Sequence, residues 1–398
     1  MEKITRYWAF LYLLANIFAQ YVKLGFLAQP TFYLLIALGS VLLLMNLGSI
    51  FERNMFKSHL FIYVFSFSLI LYQCTFGLSY VNSKSITYLV AKVVCNFMFV
   101  ISISRNIDFY YKKFYLYLPI LAVCLIGVGR FIGGIDIITN RQTFGFGNSN
   151  AMCSIAATSA GCIFIQNEKL NKWHWIAIAI CTYGVLMGGS RTSMVILIFG
   201  FLFKYGLKFK TLFIILAMYL SFSVMNNVGL KFAGIDRLTN TIESGDYVDD
   251  RRYERKATIM MIEKNPITGN GLYSDNTGEA KKVSQLGSHN GYLDIMKFMG
   301  LLFGGISIVA LFIHTFKIIK EFYFSPNFYI RTHLFIVISV LAMAMFEAYI
   351  WGVNQMTTSF LFVSMAFLGQ LSWFQSNGYE VNYIDEDDIE TNGTENDK

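Results

Sequence analysis

His289 is one of five histidines in the chain, and it stands in the polar trio Ser288-His289-Asn290 at the mouth of a segment that turns apolar at Leu301. An imidazole titrates near neutrality, so a histidine here has the chemistry of a general base. The plainer reading of the trio is a helix cap, which suits Ser288 and Asn290. No Cys or His stands near His289 at metal-ligand spacing, so neither a metal site nor any other cofactor is expected there. Glu347, in MFEAYIW (345–351), lies near the end of another apolar run, where an ionisable side chain is a functional candidate by default. It suits orienting His289 or binding sugar hydroxyls. Arg191 in GGSRTSM (188–194), Arg141 in TNRQTFGFGNSNAM (139–152) and Arg130 at the end of an apolar run complete the set. A guanidinium gives paired, charge-assisted hydrogen bonds, so arginines in this pattern point to a phosphate-bearing ligand.

These residues must be held by membrane helices. Of the 398 residues, 55% are hydrophobic and 14% charged, with a mean hydropathy of +0.49; soluble domains carry about 25% charged residues. The sequence therefore predicts an all-α, polytopic membrane protein. A span needs about 20 mostly apolar residues, and twelve windows qualify: 7–28, 31–50, 59–80, 86–104, 114–132, 150–166, 173–189, 193–208, 211–230, 291–316, 331–350 and 356–374. Of the four prolines, only Pro119 falls inside a window. Lys23, Lys92 and Lys297 are further charges within them, and the last two are candidates for pairing with acids. The N-terminus and even-numbered connections hold 15 Lys and Arg, against 4 in the short odd-numbered ones. The positive-inside rule then places both termini in the cytoplasm. His289, Arg191, Arg141 and Arg130 fall on the opposite side.

The net charge of +7 is spread in short clusters between apolar runs, without a basic stripe interleaved with stacking aromatics, so no nucleic-acid partner is expected. All six cysteines lie in apolar runs with no C-x-x-C pair, which predicts buried thiols. Four regions follow: helices one to nine over 1–230, a large external loop over 231–289, helices ten to twelve over 290–374, and a disordered acidic tail over 375–398. Within the loop, Asp249-Asp250-Arg251-Arg252-Tyr253-Glu254-Arg255-Lys256 leads into an apolar stretch and predicts an amphipathic helix. It ends at Asn265-Pro266, and Gly269-Asn270-Gly271 makes a turn. Gly145-Phe146-Gly147-Asn148-Ser149-Asn150 has no preceding strand and no following G-K-[ST]. It reads as an N-cap for the sixth span, with Ser149 or Asn150 capping, rather than as a nucleotide loop.

Three stretches carry a resemblance: Gly-Ser-Arg-Thr at 189–192, Asn-Pro-Ile-Thr-Gly-Asn-Gly at 265–271, and Ser-His-Asn-Gly-Tyr-Leu-Asp-Ile at 288–295 followed by Met299-Gly300-Leu301. In this order and spacing the chain resembles the O-antigen ligase/polymerase family of bacterial envelope glycosyltransferases over roughly residues 130–370. The resemblance implies a GT-C-like helical fold in the bacterial cytoplasmic membrane. It also implies an inverting, metal-independent transfer from an undecaprenyl-pyrophosphate-linked oligosaccharide to a sugar hydroxyl. His289 and Arg191 would be catalytic, with Arg141, Arg130, Arg252, Arg255, Glu347 and Asn290 binding substrate. A polysaccharide polymerase is favoured over a ligase acting on lipid A core. A chain-length regulator and a flippase are the expected protein partners. A flippase or transporter is the competing class for the chain itself, though the sequence lacks the internal repeat such proteins tend to show.

Overall fold

The computed structural model describes residues 1–51, 53–132, 135–136, 141–227, 232–236 and 251–377. The predicted acidic tail, 375–398, lies outside them from residue 378 on, as does the Asp249-Asp250 pair, while 375–376 close the last helix.

The described residues are almost entirely helical. The helices are α1 (Glu2–Gln20), α2 (Gly25–Met45), the short α3 (Leu47–Ile50) and α4 (Arg53–Ser58), α5 (Leu60–Cys74), α6 (Ser83–Ser104), α7 (Phe114–Ile132) and α8 (Ser149–Gln166). They continue with α9 (Lys172–Gly188), α10 (Arg191–Tyr205), α11 (Phe209–Asn227), α12 (Arg252–Lys264), α13 (Gly278–Val283), α14 (Gly291–Met299), α15 (Ile306–Phe322), α16 (Phe328–Met343) and α17 (Met356–Ser376). Among these residues the only strands are β1 (Ile135–Asp136) and β2 (Arg141–Gln142), an antiparallel pair in which Asp136 faces Arg141. Every predicted window contains helix. Five stretches are long and apolar enough to cross a membrane alone: Val22–Met45, Ser83–Ser104, Phe109–Phe131, Gly291–Phe322 and Met356–Ser376. Leu60–Cys74 and Phe328–Met343 are apolar but shorter. The chain is an all-α polytopic membrane protein.

α17 is the axis of the bundle. Every residue from Met356 to Ser372 is buried, and the helix packs on α1, α6, α8 and α16. α8 is the second centre, against α7, α9, α10 and α16. Its sequence, SNAMCSIAATSAGCIFIQ, is rich in Ala, Ser and Gly, and small side chains let helices approach closely where no hydrophobic effect drives them together. At the closest point a Cβ on Gly200 of α10 would lie 2.9 Å from the Gly161 Cα, and one on Gly161 would lie 2.2 Å from the Phe335 ring of α16.

Several boundaries differ from the sequence reading. The first window breaks at Tyr21, where α1 gives way to a 3-10 turn over Val22–Leu24. Lys23 therefore sits in that turn, at the very start of the Val22–Met45 stretch rather than inside the first span. Because α2 then starts at Gly25, Pro30 lies within it, alongside Pro119 in α7. α8 is capped by Asn148, whose side chain accepts the Asn150 and Ala151 N–H groups, rather than by Ser149 or Asn150. The Gly-Phe-Gly loop before it braces the turn after α1: Gly145 O accepts from Val22 N (2.9 Å) and Gly147 N donates to Gln20 O (2.9 Å). The eleventh helix stops at Met343, so Glu347 is not helical.

The tenth span is broken by design. α14 ends at Met299, Gly300 takes φ +67°, and the chain continues through a wide π turn, Gly300–Gly305, into α15. The Asn-Pro-Ile-Thr-Gly-Asn-Gly turn closes on this break: Asn270 N and Gly271 N donate to Lys297 O (3.0 Å) and Phe298 O (3.2 Å), and Leu301 N to Pro266 O (2.7 Å). Two motifs far apart in sequence are thus one clasp, and glycine is required on both sides. A Cβ on Gly300 would lie 2.2 Å from the Ile267 carbonyl oxygen, and one on Gly269 2.4 Å from that of Phe298, where φ is +67°. Gly300→Ala combines a backbone clash with a left-handed conformation and is expected to cost about 2–4 kcal/mol. The check is a lowered unfolding temperature in detergent, with Gly287→Ala, which meets nothing within 4 Å, unchanged.

Candidate active site

The first turn of α14 is stitched to the stretch that follows α16. Asn290 caps the helix, its side-chain oxygen accepting the Tyr292 and Leu293 N–H groups (3.0 Å each) while its amide donates to Met345 O (2.9 Å). Gly291 N is shared between Ala344 O (2.8 Å) and Glu347 O (3.1 Å). Just before the cap, the Ser288 hydroxyl accepts from Asn290 N (2.9 Å) and donates to the buried Asp294 carboxylate (2.6 Å). Asp294 is therefore a partner of Ser288 and not of His289, as the helix spacing predicts. Held between these two locked residues, His289 adopts φ +49°. A side chain other than glycine rarely takes this left-handed conformation, and strain of this kind persists where surrounding bonds over-determine it.

That conformation aims the imidazole at Glu347: Nδ1 lies 3.3 Å from Oε2, with the two side chains 34% and 15% exposed. An ionised carboxylate only accepts hydrogen bonds, so Nδ1 is the donor, and in the neutral ring that leaves the lone pair on Nε2. Glu347 is otherwise saturated. Its Oε1 accepts from Arg251 (2.7 Å) and from the Asn150 amide (3.0 Å). Burial pushes its carboxyl up, but the hydrogen bond from His289 and the charge and hydrogen bond of Arg251 outweigh this and hold it below its ordinary value. Glu347 is thus ionised at neutral pH. Glu347→Gln keeps the size but removes the charge and offers the wrong group to Nδ1. We expect turnover to fall about 10²-fold with little change in donor binding, read from steady-state rates.

The network continues to Arg141, which is 6% exposed. It donates to the Asn150 side-chain oxygen (2.6 Å) and through Nε to Gly188 O (2.5 Å). Gly188 ends α9, Gly189 turns at φ +67°, Ser190 caps α10, and Arg191 is the first residue of that helix. Arg141 therefore links the His289–Glu347 pair to the turn that presents Arg191. Hydroxyls run alongside: Tyr349 to Ser154 (2.8 Å), Ser154 to Ser193 (3.4 Å), and Ser193 to Ser190 (3.0 Å). Arg191 itself is half-buried at a helix N-terminus, whose dipole favours anions.

The remaining arginines separate. Arg255 donates to Met345 O (3.3 Å) and lies over the Phe346 ring. Arg252 is exposed and donates to the Tyr253 hydroxyl (2.9 Å). Arg251, which the sequence did not single out, is the loop arginine bonded to Glu347 and to Phe346 O. The missed signal is the helix start: Arg251 is the N-cap residue of α12 and Arg252 its first helical residue, so their side chains leave the chain in different directions. Arg130 is exposed in the last turn of α7 and makes no hydrogen bond or ion pair among the described residues. The apolar face of α12 (Ala257, Met261) is covered by Ala280 of α13. Asn150, read only as a possible cap, proved to be the bridge between Arg141 and Glu347.

A polytopic helical membrane protein whose histidine, carboxylate and arginines converge at broken helix ends is the class this arrangement defines. Residues 176–309 match the family described as O-antigen ligase, which supports placing the chain in the O-antigen ligase/polymerase family. The match supports a membrane enzyme of glycosyltransferase type that acts on lipid-linked oligosaccharides. It takes in Arg191, Arg252, Arg255, His289 and Asn290, and leaves Arg130, Arg141 and Glu347 outside. No curated protein matches the chain.

Proposed function

We propose that the chain is a polymerase of surface polysaccharide, O-antigen or capsule, working on the external face of the bacterial cytoplasmic membrane with both termini inside. The observation that carries this reading is the His289–Glu347 pair, bonded through Asn150 and Arg141 to the Arg191 turn, in a chain with an O-antigen ligase domain. Nε2 of His289 takes the proton of the acceptor sugar hydroxyl, and the oxygen attacks the anomeric carbon of the donor glycan. The bond from that carbon to the undecaprenyl pyrophosphate breaks, the electron pair leaves with the pyrophosphate, and the anomeric configuration inverts. Glu347 stabilises the imidazolium that forms. Arg191 meets the charge that develops on the leaving group, so the reaction does not call for a metal. The acceptor is another lipid-linked repeat unit.

The test is extension of a defined undecaprenyl-pyrophosphate repeat unit by purified protein, with and without chelator. A ladder of products unaffected by chelator is expected; loss of the ladder on chelation would overturn the metal-free step. A ligase reading is favoured by the description of the matched family, and transfer to added lipid A core in preference to repeat units would establish it. In a deletion strain, lipid-linked units held on the cytoplasmic side would instead mark a flippase.

A further inference from the structure

Lys92 lies on α6, nine residues in from Ser83, about 14 Å along the helix axis. It is 2% exposed. The sequence suggested an acidic partner, but Nζ donates to Ile350 O (3.0 Å) and Gly352 O (2.9 Å) and stands 4.2 Å from the centre of the Phe362 ring. The N–H groups of Nζ are met by two carbonyls and one aromatic face. Both carbonyls belong to the stretch between α16 and α17, which is not helical, so the usual donors four residues on are missing. Backbone polar groups at such depth must be met by protein.

The rest of the stretch is held in the same way. Tyr88, one turn from Lys92, donates to Trp351 O (2.8 Å), Tyr12 of α1 to Val353 O (2.9 Å), and Thr358 to Tyr349 O (2.5 Å). The Trp351 ring stacks on Tyr88 of α6 and Phe298 of α14, each 4.7 Å away. A buried amino group without a carboxylate is costly unless its N–H groups find acceptors. Its position shows where two converging carbonyls need strong donors.

We infer that Lys92 is a positioning residue for the transfer reaction: by holding the Ile350 and Gly352 carbonyls it fixes the unwound backbone that carries Glu347 opposite His289. The inference rests on the reaction proposed above. Lys92→Met keeps the length and removes every donor, whereas Lys92→Gln keeps two neutral ones. In Lys92→Met, turnover is expected to fall about tenfold or more, while affinity and stoichiometry for undecaprenyl pyrophosphate stay as in the natural protein. Amide hydrogen exchange across 344–355 is expected to quicken. Lys92→Gln should lie within about threefold of the natural protein on both counts. Natural turnover in Lys92→Met would overturn the inference, and so would equal damage in Lys92→Gln. Loss of lipid binding together with turnover would reduce Lys92 to a role in folding alone. Should Lys92→Met fail to insert, Tyr88→Phe, which removes one hydroxyl from the same stretch, gives the same comparison. An inactive natural protein would defeat the proposed reaction, while the exchange rates would still decide whether Lys92 holds the stretch.

Discussion

Replacing His289 by alanine is expected to lower chain extension by about 10³-fold, within the range that loss of a general base costs. Its geometry suits the proposed role. Its ring is partly open, one nitrogen is spent on an ionised carboxylate, and its backbone is held in a left-handed conformation by Ser288 and Asn290. No packing argument explains the choice of histidine there, since asparagine tolerates the same φ more readily. His289→Asn therefore makes the sharper variant: the fold should survive, and the base is gone. In a complemented deletion strain both variants should insert at natural levels and produce only single repeat units. A normal chain-length ladder from either would exclude His289 as the base.

The second large effect is at Arg191. Its loss is expected to cost about 10²–10³-fold in turnover, close to 3–4 kcal/mol at the transition state, because charge that develops on a leaving pyrophosphate would go unanswered. Arg191 begins α10, so its guanidinium adds to the positive end of that helix dipole. The turn before it is fixed by Arg141 on Gly188 O, which explains why a buried arginine is spent on protein partners. Arg191→Lys keeps the charge but loses the planar fork and should recover only part of the rate. Single-turnover rates with saturating donor would show this; a rise in donor KM with unchanged turnover would instead assign Arg191 to ground-state binding.

How much of this was legible beforehand depends on the range of the interaction. Helix content and the His-Asn cap followed from hydropathy and local hydrogen bonding, both of which act within a few residues. The three short motifs pointed to the family for the same reason. Asn265–Gly271 and Met299–Gly300 are distinctive because two backbones nearly touch there, which leaves room only for glycine. Arg251 was missed in favour of Arg252 because the choice depends on where α12 begins, and one residue turns the helix face by about 100°. The unwound stretch after Met343 was invisible. Its residues are apolar enough to read as helix, and only donors from α1, α6, α12, α14 and α17 make another backbone path affordable.

The sequence by itself determined that this chain lives in a membrane, is built of helices, and places a histidine and several arginines at helix ends. Those properties are sums over local composition. Tertiary structure alone decided that Glu347 faces His289, that Asn150 and Arg141 join them to Arg191, and that Lys92 serves carbonyls instead of an acid. Each of these pairs residues 47 to 260 positions apart or depends on one that does. A hydrogen bond acts over about 3 Å, so which groups meet is fixed only once the helices have packed.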